Sequence, residues 1–202
     1  CDGAWRGSKR GLSPDGRRLL DVMGDLGLIL DLTHMSELAA LQALGSGRLQ
    51  TVSTMLANTP EMVEAHYAVP AINAVLNTLN TRLDAPLLAW QLNHCECAVL
   101  ITDREFAPVI AEALRILQRD HRRTPIVIDV CDSEFTGAGD RLGAHEYEAL
   151  LAAHDPLPKL DGPADEWDAI AVSYTSGTTG NPKGVVTHHR GAYLNAVCNA
   201  AT

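Results

Sequence analysis

No stretch of this sequence stays apolar for the roughly 18 residues that a membrane-spanning helix requires, and the N-terminus has no signal-peptide pattern. Cationic residues are scarce: 16 Lys and Arg face 25 Asp and Glu, for a net charge of −9. That balance excludes a nucleic-acid-binding surface. It does not exclude a nucleotide ligand, because a local loop and a divalent metal can hold phosphate whatever the overall charge. The five cysteines, Cys1, Cys95, Cys97, Cys131 and Cys198, are odd in number and lack framework spacing. A reduced, cytoplasmic setting is the expectation. Two nucleotide fingerprints are also missing. Gly180 is followed by Asn-Pro-Lys-Gly rather than the Gly-Lys-Ser/Thr of a Walker loop, and no Gly-x-Gly-x-x-Gly occurs.

The 202 residues, 46% hydrophobic and 20% charged, suffice for one globular domain with a real core. Strand-like and helix-like segments alternate. Strands are expected over 28–32, 51–56, 74–76, 98–102 and 126–130. Helices are expected over 17–26, 36–44, from Pro60 to about Ala68, from Asp84 to Asn93, over 105–118 and 144–152, and from Arg190 to Ala201. This alternation predicts an α/β fold with a mostly parallel sheet flanked by helices. The chain starts at Cys1 instead of Met and stops inside the last of these helices, so a piece of something longer is expected.

What the chain does have is Tyr174-Thr-Ser-Gly-Thr-Thr-Gly-Asn-Pro-Lys-Gly184. Thr175, Ser176, Thr178 and Thr179 offer hydroxyls, and Gly177 and Gly180 let backbone N–H groups approach a polyphosphate. Lys183 adds a point charge. Apolar residues lead in (Ala169 to Val172) and out (Val185, Val186), so two strands should hold the loop. The alternative is a Gly/Thr hairpin with no ligand.

The ordered string Tyr174–Gly184 resembles the phosphate-binding loop of the adenylate-forming superfamily, which includes acyl-CoA synthetases, luciferases and nonribosomal-peptide adenylation domains. Thr59–His66, Ala74–Asp84, Val99–Phe106 and Val186–Asn195 resemble fatty-acyl-CoA synthetases, in the branch for medium-chain and methylmercaptopropionate-type acids. The resemblance covers 51–202, with Ala57 departing from the usual proline. It implies the N-terminal part of an AMP-binding domain over 46–202. It further implies activation of a fatty carboxylic acid by ATP with Mg²⁺, then transfer to coenzyme A. In that reading Thr175, Ser176, Gly177, Thr178, Thr179, Gly180 and Lys183 bind the phosphates, and Lys183 also offsets charge on the departing pyrophosphate. Segments the family needs for adenine, ribose and Mg²⁺, and its second catalytic lysine, are not in the sequence, so the chain alone is expected to be inactive. A separate C-terminal part would make a split enzyme.

Residues 1–45 differ. Gly11–Leu20 followed by Leu26–Ser36 resembles the zinc-dependent membrane-dipeptidase family, in which the histidine at the position of His34 is a metal ligand. A catalytic zinc needs about three protein ligands, and the family's other ligands are absent, so no metal site is assigned. A junction near Gly45-Ser-Gly47 is expected, with the grafted segment docked loosely or aggregating. His188 and His189 are expected to be structural or pocket-lining. His94-Cys95-Glu96-Cys97 is expected to be helix-end packing, Leu87, Leu88 and Trp90 core or flank residues, and the acidic run 161–168 a solvated connector. Besides the ligase, a non-catalytic remnant with an empty loop and a zinc-peptidase piece are the other readings.

Overall fold

The computed structural model describes residues 34–132, 135–137, 139–154, 162–175 and 182–200. Helix α1 is His34–Ala43, strand β1 Thr51–Met55, α2 Pro60–Ala71 and β2 Val75–Thr78. Next come α3 (Ala85–His94), β3 (Cys97–Asp103), a 3₁₀ turn at Arg104–Phe106, α4 (Ala107–Arg119) and β4 (Ile126–Val130). The rest is β5 (His145–Glu146), α5 (Tyr147–Ala152), β6 (Ala169–Thr175), β7 (Lys183–His188) and α6 (His189–Ala200). The helix and strand expected over 17–26 and 28–32 lie outside the described residues.

The strands form one sheet in the order β5-β4-β3-β1-β2-β6-β7. Every pairing is parallel except β6 with β7. From β1 the chain moves one way to β2 and then the other way to β3 and β4. Right-handed crossovers therefore place helices on both faces. On one face Leu41 of α1, Ala65, Ala68 and Val69 of α2 and Tyr147 of α5 pack on Val52, Leu76, Val99 and Ile101. On the other, Leu88 and Leu92 of α3 and Ile110, Ala113 and Leu117 of α4 pack on Met55 and Leu100. Covered on both sides, β1 and β3 are buried along their whole length.

Capping follows local chemistry. Asp84 accepts from Leu87 N–H at 3.0 Å and starts α3. Two buried aspartates close the carboxyl end of the sheet. Asp103 accepts from Glu105 N–H (2.7 Å) and Asp132 N–H (3.0 Å), and Asp129 from Leu142 N–H (2.9 Å) and Gly143 N–H (2.7 Å). Gly143 permits that approach, since a Cβ there would sit 2.1 Å from the Val127 carbonyl oxygen.

Three expectations are corrected. Helix α2 runs to Ala71, beyond Ala68, because Pro70 falls in its last turn, where the missing N–H removes a single bond. The helix expected from Ala144 starts at Tyr147, since His145 and Glu146 pair with β4 and Glu146 then caps the helix through Glu148 and Ala149 N–H. The helix expected from Glu105 starts at Ala107, after the Asp103-capped 3₁₀ turn.

Helix α1 brings an acid into the core. Glu37 is 1% exposed and neither of its oxygens completes a hydrogen bond. Burial pushes its carboxyl up to about 8; the nearby Tyr147 hydroxyl opposes this, and the Glu64 and Glu61 carboxylates add to it. A raised carboxyl contributes stability that is present below the ordinary value of 4.5 and is lost as pH rises through about 8. Glu37→Gln is therefore expected to stabilise the fold by about 1–3 kcal/mol near neutral pH and to change little near pH 4.5. Urea unfolding at the two pH values measures this.

Candidate functional site

Strand β6 joins the parallel sheet beside β2, with Leu76 opposite Ala171. It then pairs antiparallel with β7 from Ala169 opposite His188 to Thr175 opposite Lys183. The stem of the hairpin is thus hydrogen-bonded right up to the loop 176–182. Of the residues expected to bind phosphate, the structure places Thr175 and Lys183 across from each other at the mouth, both exposed. Among the described residues Lys183 forms no ion pair. Ser176, Gly177, Thr178, Thr179 and Gly180 lie outside the described residues. Gly184 lets β7 lie close to β6, because a Cβ there would come within 3.2 Å of Val172 Cγ2.

The base of the hairpin is moored by the acidic run expected to be a solvated connector. That expectation is corrected at its end: Asp168 is buried, and Arg48 grips it with two bonds, Nε to Oδ2 at 2.7 Å and Nη2 to Oδ1 at 2.9 Å. The guanidinium holds the Asp168 carboxyl below the usual carboxylate range, and Asp168 raises Arg48 in turn. The Asp168 carbonyl also accepts from His189 N–H at 3.1 Å. Glu166 takes Arg190 twice, side chain to side chain at 2.6 Å and carbonyl to N–H at 2.8 Å. Arg190 and His188 both lie against the Trp167 ring, at 5.6 and 4.8 Å. His188 Nδ1 accepts from Gly191 N–H at 3.0 Å and so caps α6. Contacts within the fold thus engage the His188, Arg190 and Trp167 side chains, whereas the buried His189 Nε2 has no hydrogen-bond partner among the described residues.

At the other end of β6, Tyr174 leads into the loop. Its hydroxyl lies 2.7 Å from His94 Nδ1, and His94 stacks on Trp90 at 4.6 Å. Burial pushes the Tyr174 phenol up to about 12, with the Cys95 thiol beside it adding to the effect. The His94-Cys95-Glu96-Cys97 segment spans the end of α3 and the start of β3, and Leu88 lies in the core. Among the described residues no cluster of three His, Cys, Asp or Glu side chains could hold a metal. The His34 side chain lies outside the described residues.

The pattern of the family described as AMP-binding enzyme matches residues 34–202. The chain belongs to the AMP-binding enzyme family. It is 41% identical over 173 residues to the peroxisomal acetate/butyrate–CoA ligase of Arabidopsis thaliana, covering 82% of this chain and 30% of that protein. It is 40% identical over 163 residues to the acetate–CoA ligase of Humulus lupulus, covering 77% and 29%. Among solved structures, an anthranilate–CoA ligase bound to anthranoyl-AMP superposes with a TM-score of 0.69 at 23% identity, over 82% of this chain and 30% of that one. The fatty acyl-CoA synthetase of Mycobacterium tuberculosis superposes at 0.60 with 26% identity, over 85% and 30%. The α/β fold of adenylate-forming enzymes is therefore present, and the chain spans about 30% of the length of these relatives. The family match takes in α1.

The mooring has a pH signature. Burial lowers the His189 imidazole below 6.5, while the neighbouring Asp168 carboxylate pulls it the other way. A depressed histidine costs stability as pH falls through its ordinary value, because the unfolded chain then binds a proton that the folded chain does not. The His189 contribution to stability is expected to fall between about pH 7.5 and 5.5, against the opposite Glu37 trend and with a slope no steeper than that of one proton. His189→Leu should flatten that slope in urea melts across the range.

Proposed function

We propose that this chain supplies the phosphate-loop segment of an acid–thiol ligase that activates a fatty, medium-chain carboxylic acid. ATP and the acid would react so that a carboxylate oxygen attacks the α-phosphorus, giving acyl-adenylate and pyrophosphate. Coenzyme A thiol would then displace AMP, giving the acyl-CoA. The acid arrives ionised and needs no general base. The difficulty lies in bringing an anion onto a triphosphate, a matter of positioning and electrostatics.

The observation that carries this reading is the paired stem with Thr175 and Lys183 facing each other at an exposed mouth. Thr175, Ser176, Thr178 and Thr179 would donate to the β- and γ-phosphates, with Gly177 and Gly180 allowing the loop to close. Lys183 would neutralise charge on the leaving pyrophosphate. Mg²⁺ would arrive with the nucleotide. The relatives named for acetate, butyrate and benzoate favour small to medium acids. We assign the chain by itself nucleotide binding without turnover. We place it in the cytoplasm, on the four free cysteines of the described residues.

The synthetase-like part is proposed to include α1, whose Leu41 shares a core with α2 and α5. The dipeptidase likeness is then confined to what precedes His34. A zinc peptidase would need stoichiometric zinc that is lost on His34→Ala.

Calorimetric titration with Mg-ATP tests the main reading. Binding is expected in the wild-type chain, weakened about tenfold in Lys183→Ala, the loss of one charge-assisted contact worth about 1.4 kcal/mol. A chain that gives no heat with Mg-ATP is a remnant with an empty loop. Pyrophosphate exchange by the chain alone would overturn the assignment of binding without turnover.

A further inference from the structure

Cys95 and Cys97 flank Glu96 at the turn from α3 into β3. Glu96 has φ of 51°, and this left-handed residue turns the chain between the two cysteines so that each thiol shifts the titration of the other. Cys95 is half-buried and Cys97 is 3% exposed. Around Cys95 Sγ stand Asn77 Nδ2 at 3.5 Å and Ser53 Oγ at 3.9 Å, with Asn77 Nδ2 also donating to Ser53 at 3.0 Å. Asn77 is fully buried, and its Oδ1 has no partner. The side chain whose Nδ2 meets the sulfur thus keeps an unused acceptor, a group that a hydroxyl added to Cys95 could use. Cys97 Sγ lies 3.1 Å from the Val99 carbonyl oxygen. Activation of a carboxylate by ATP has no use for any of these groups.

We propose that Cys95 and Cys97 are a redox modification site, in which hydrogen peroxide or an organic hydroperoxide oxidises Cys95 and Cys97 then closes an intramolecular disulfide. The two thiols are chemically distinguished. Cys95 is the more exposed of the two; interaction with the Cys97 side chain holds its thiol low, burial opposes this, and Ser53 and Asn77 reinforce it. Burial, followed by the Cys95 interaction, pushes Cys97 up, so it keeps its proton. In the first step the Cys95 thiolate attacks one peroxide oxygen. The O–O bond breaks, hydroxide leaves and Cys95 becomes a sulfenic acid. That step also removes the negative charge that held the Cys97 proton. In the second step Cys97 sulfur attacks Cys95 sulfur, its proton joins the departing hydroxyl, and water leaves. Overall two thiols give up two electrons and two protons, and hydrogen peroxide becomes two waters; an organic hydroperoxide would leave one alcohol and one water. The disulfide would draw Cys95 away from Tyr174, the residue that enters the loop 176–182.

The test treats the reduced chain with limiting hydrogen peroxide, then alkylates and digests it with trypsin. The peptide 83–104 contains only these two cysteines. It is expected to lose two hydrogens and to resist alkylation until dithiothreitol is added. In Cys97→Ala the disulfide should be lost, and dimedone should trap a sulfenic acid on Cys95. In Cys95→Ala, Cys97 should stay reduced and alkylatable after unfolding. Both variants are checked for native circular dichroism, and the wild-type result stands without them. The proposal is overturned if peptide 83–104 keeps both thiols while exposed Cys131 and Cys198 oxidise, or if Cys95 pairs with one of those instead. Neither result depends on whether the chain binds ATP.

Discussion

The loop-bearing hairpin depends on one fastening, the bidentate grip of Arg48 on Asp168. Strand β6 meets the parallel sheet at a single register pair, Leu76 with Ala171, whereas β3 and β4 share five. Only Val172 of β6 is buried, against all seven residues of β3. The hairpin therefore receives little of the apolar burial that holds the central strands. Arg48, on the segment entering β1, and Asp168, just ahead of β6, lie 120 residues apart in sequence. Their fork-on-fork geometry fixes direction as well as distance, which a lysine in place of Arg48 would not do. His189 and Arg190 then tie the far end of β7 to Asp168 and Glu166, so the same short segment anchors both strands.

The elements legible in the sequence were those with local signals. The strand expected over 126–130 is β4 to the residue, and the helix expected from Asp84 is α3, capped by Asp84. The loop was legible because its chemistry is written in consecutive residues, and the structure adds that the stem beneath it is paired to the last residue on each side. Illegible were interactions whose partners lie far apart. An Asp/Glu-rich stretch reads as solvated unless its cation is known, and Arg48 gives no local hint of reaching Asp168. The contact of Tyr174 with His94 is hidden in the same way, since it requires knowing that β6 is laid beside β2 next to α3. Strand β5 was missed because two residues carry no periodicity. Glu37 ran against its own pattern: within α1 a glutamate predicts an exposed face, and burial against Tyr147 overrides that preference.

The carboxylates show how a chain of net charge −9 stays compact. Asp103 and Asp129 are buried, yet each accepts two backbone N–H groups at the end of a strand, which replaces water with fixed donors. Asp168 has a guanidinium. Glu37 has neither and is kept neutral by burial. Each of these four carboxylates is thus placed or neutralised locally, and Thr175 and Lys183 face each other at the loop mouth. An anionic ligand approaching there meets the exposed Lys183 whatever the net charge of the body.

Tyr174 joins the hairpin to helix α3. Its backbone belongs to the stem of the loop, paired with Gly184, while its ring leaves the hairpin and lies edge-on to Trp90 and His94 over α3. The hydroxyl sits between a histidine nitrogen and the Cys95 thiol. A parallel sheet resists shear, because its strands are hydrogen-bonded on both sides, but an edge hairpin pivots about its side-chain contacts more readily. Tyr174 is such a contact, placed one residue before the end of β6. A change in the size or charge of the sulfur beside it acts on the hairpin at the point where the strand gives way to the loop. The Cys95 thiol and the stem of the loop thus share contact with one ring.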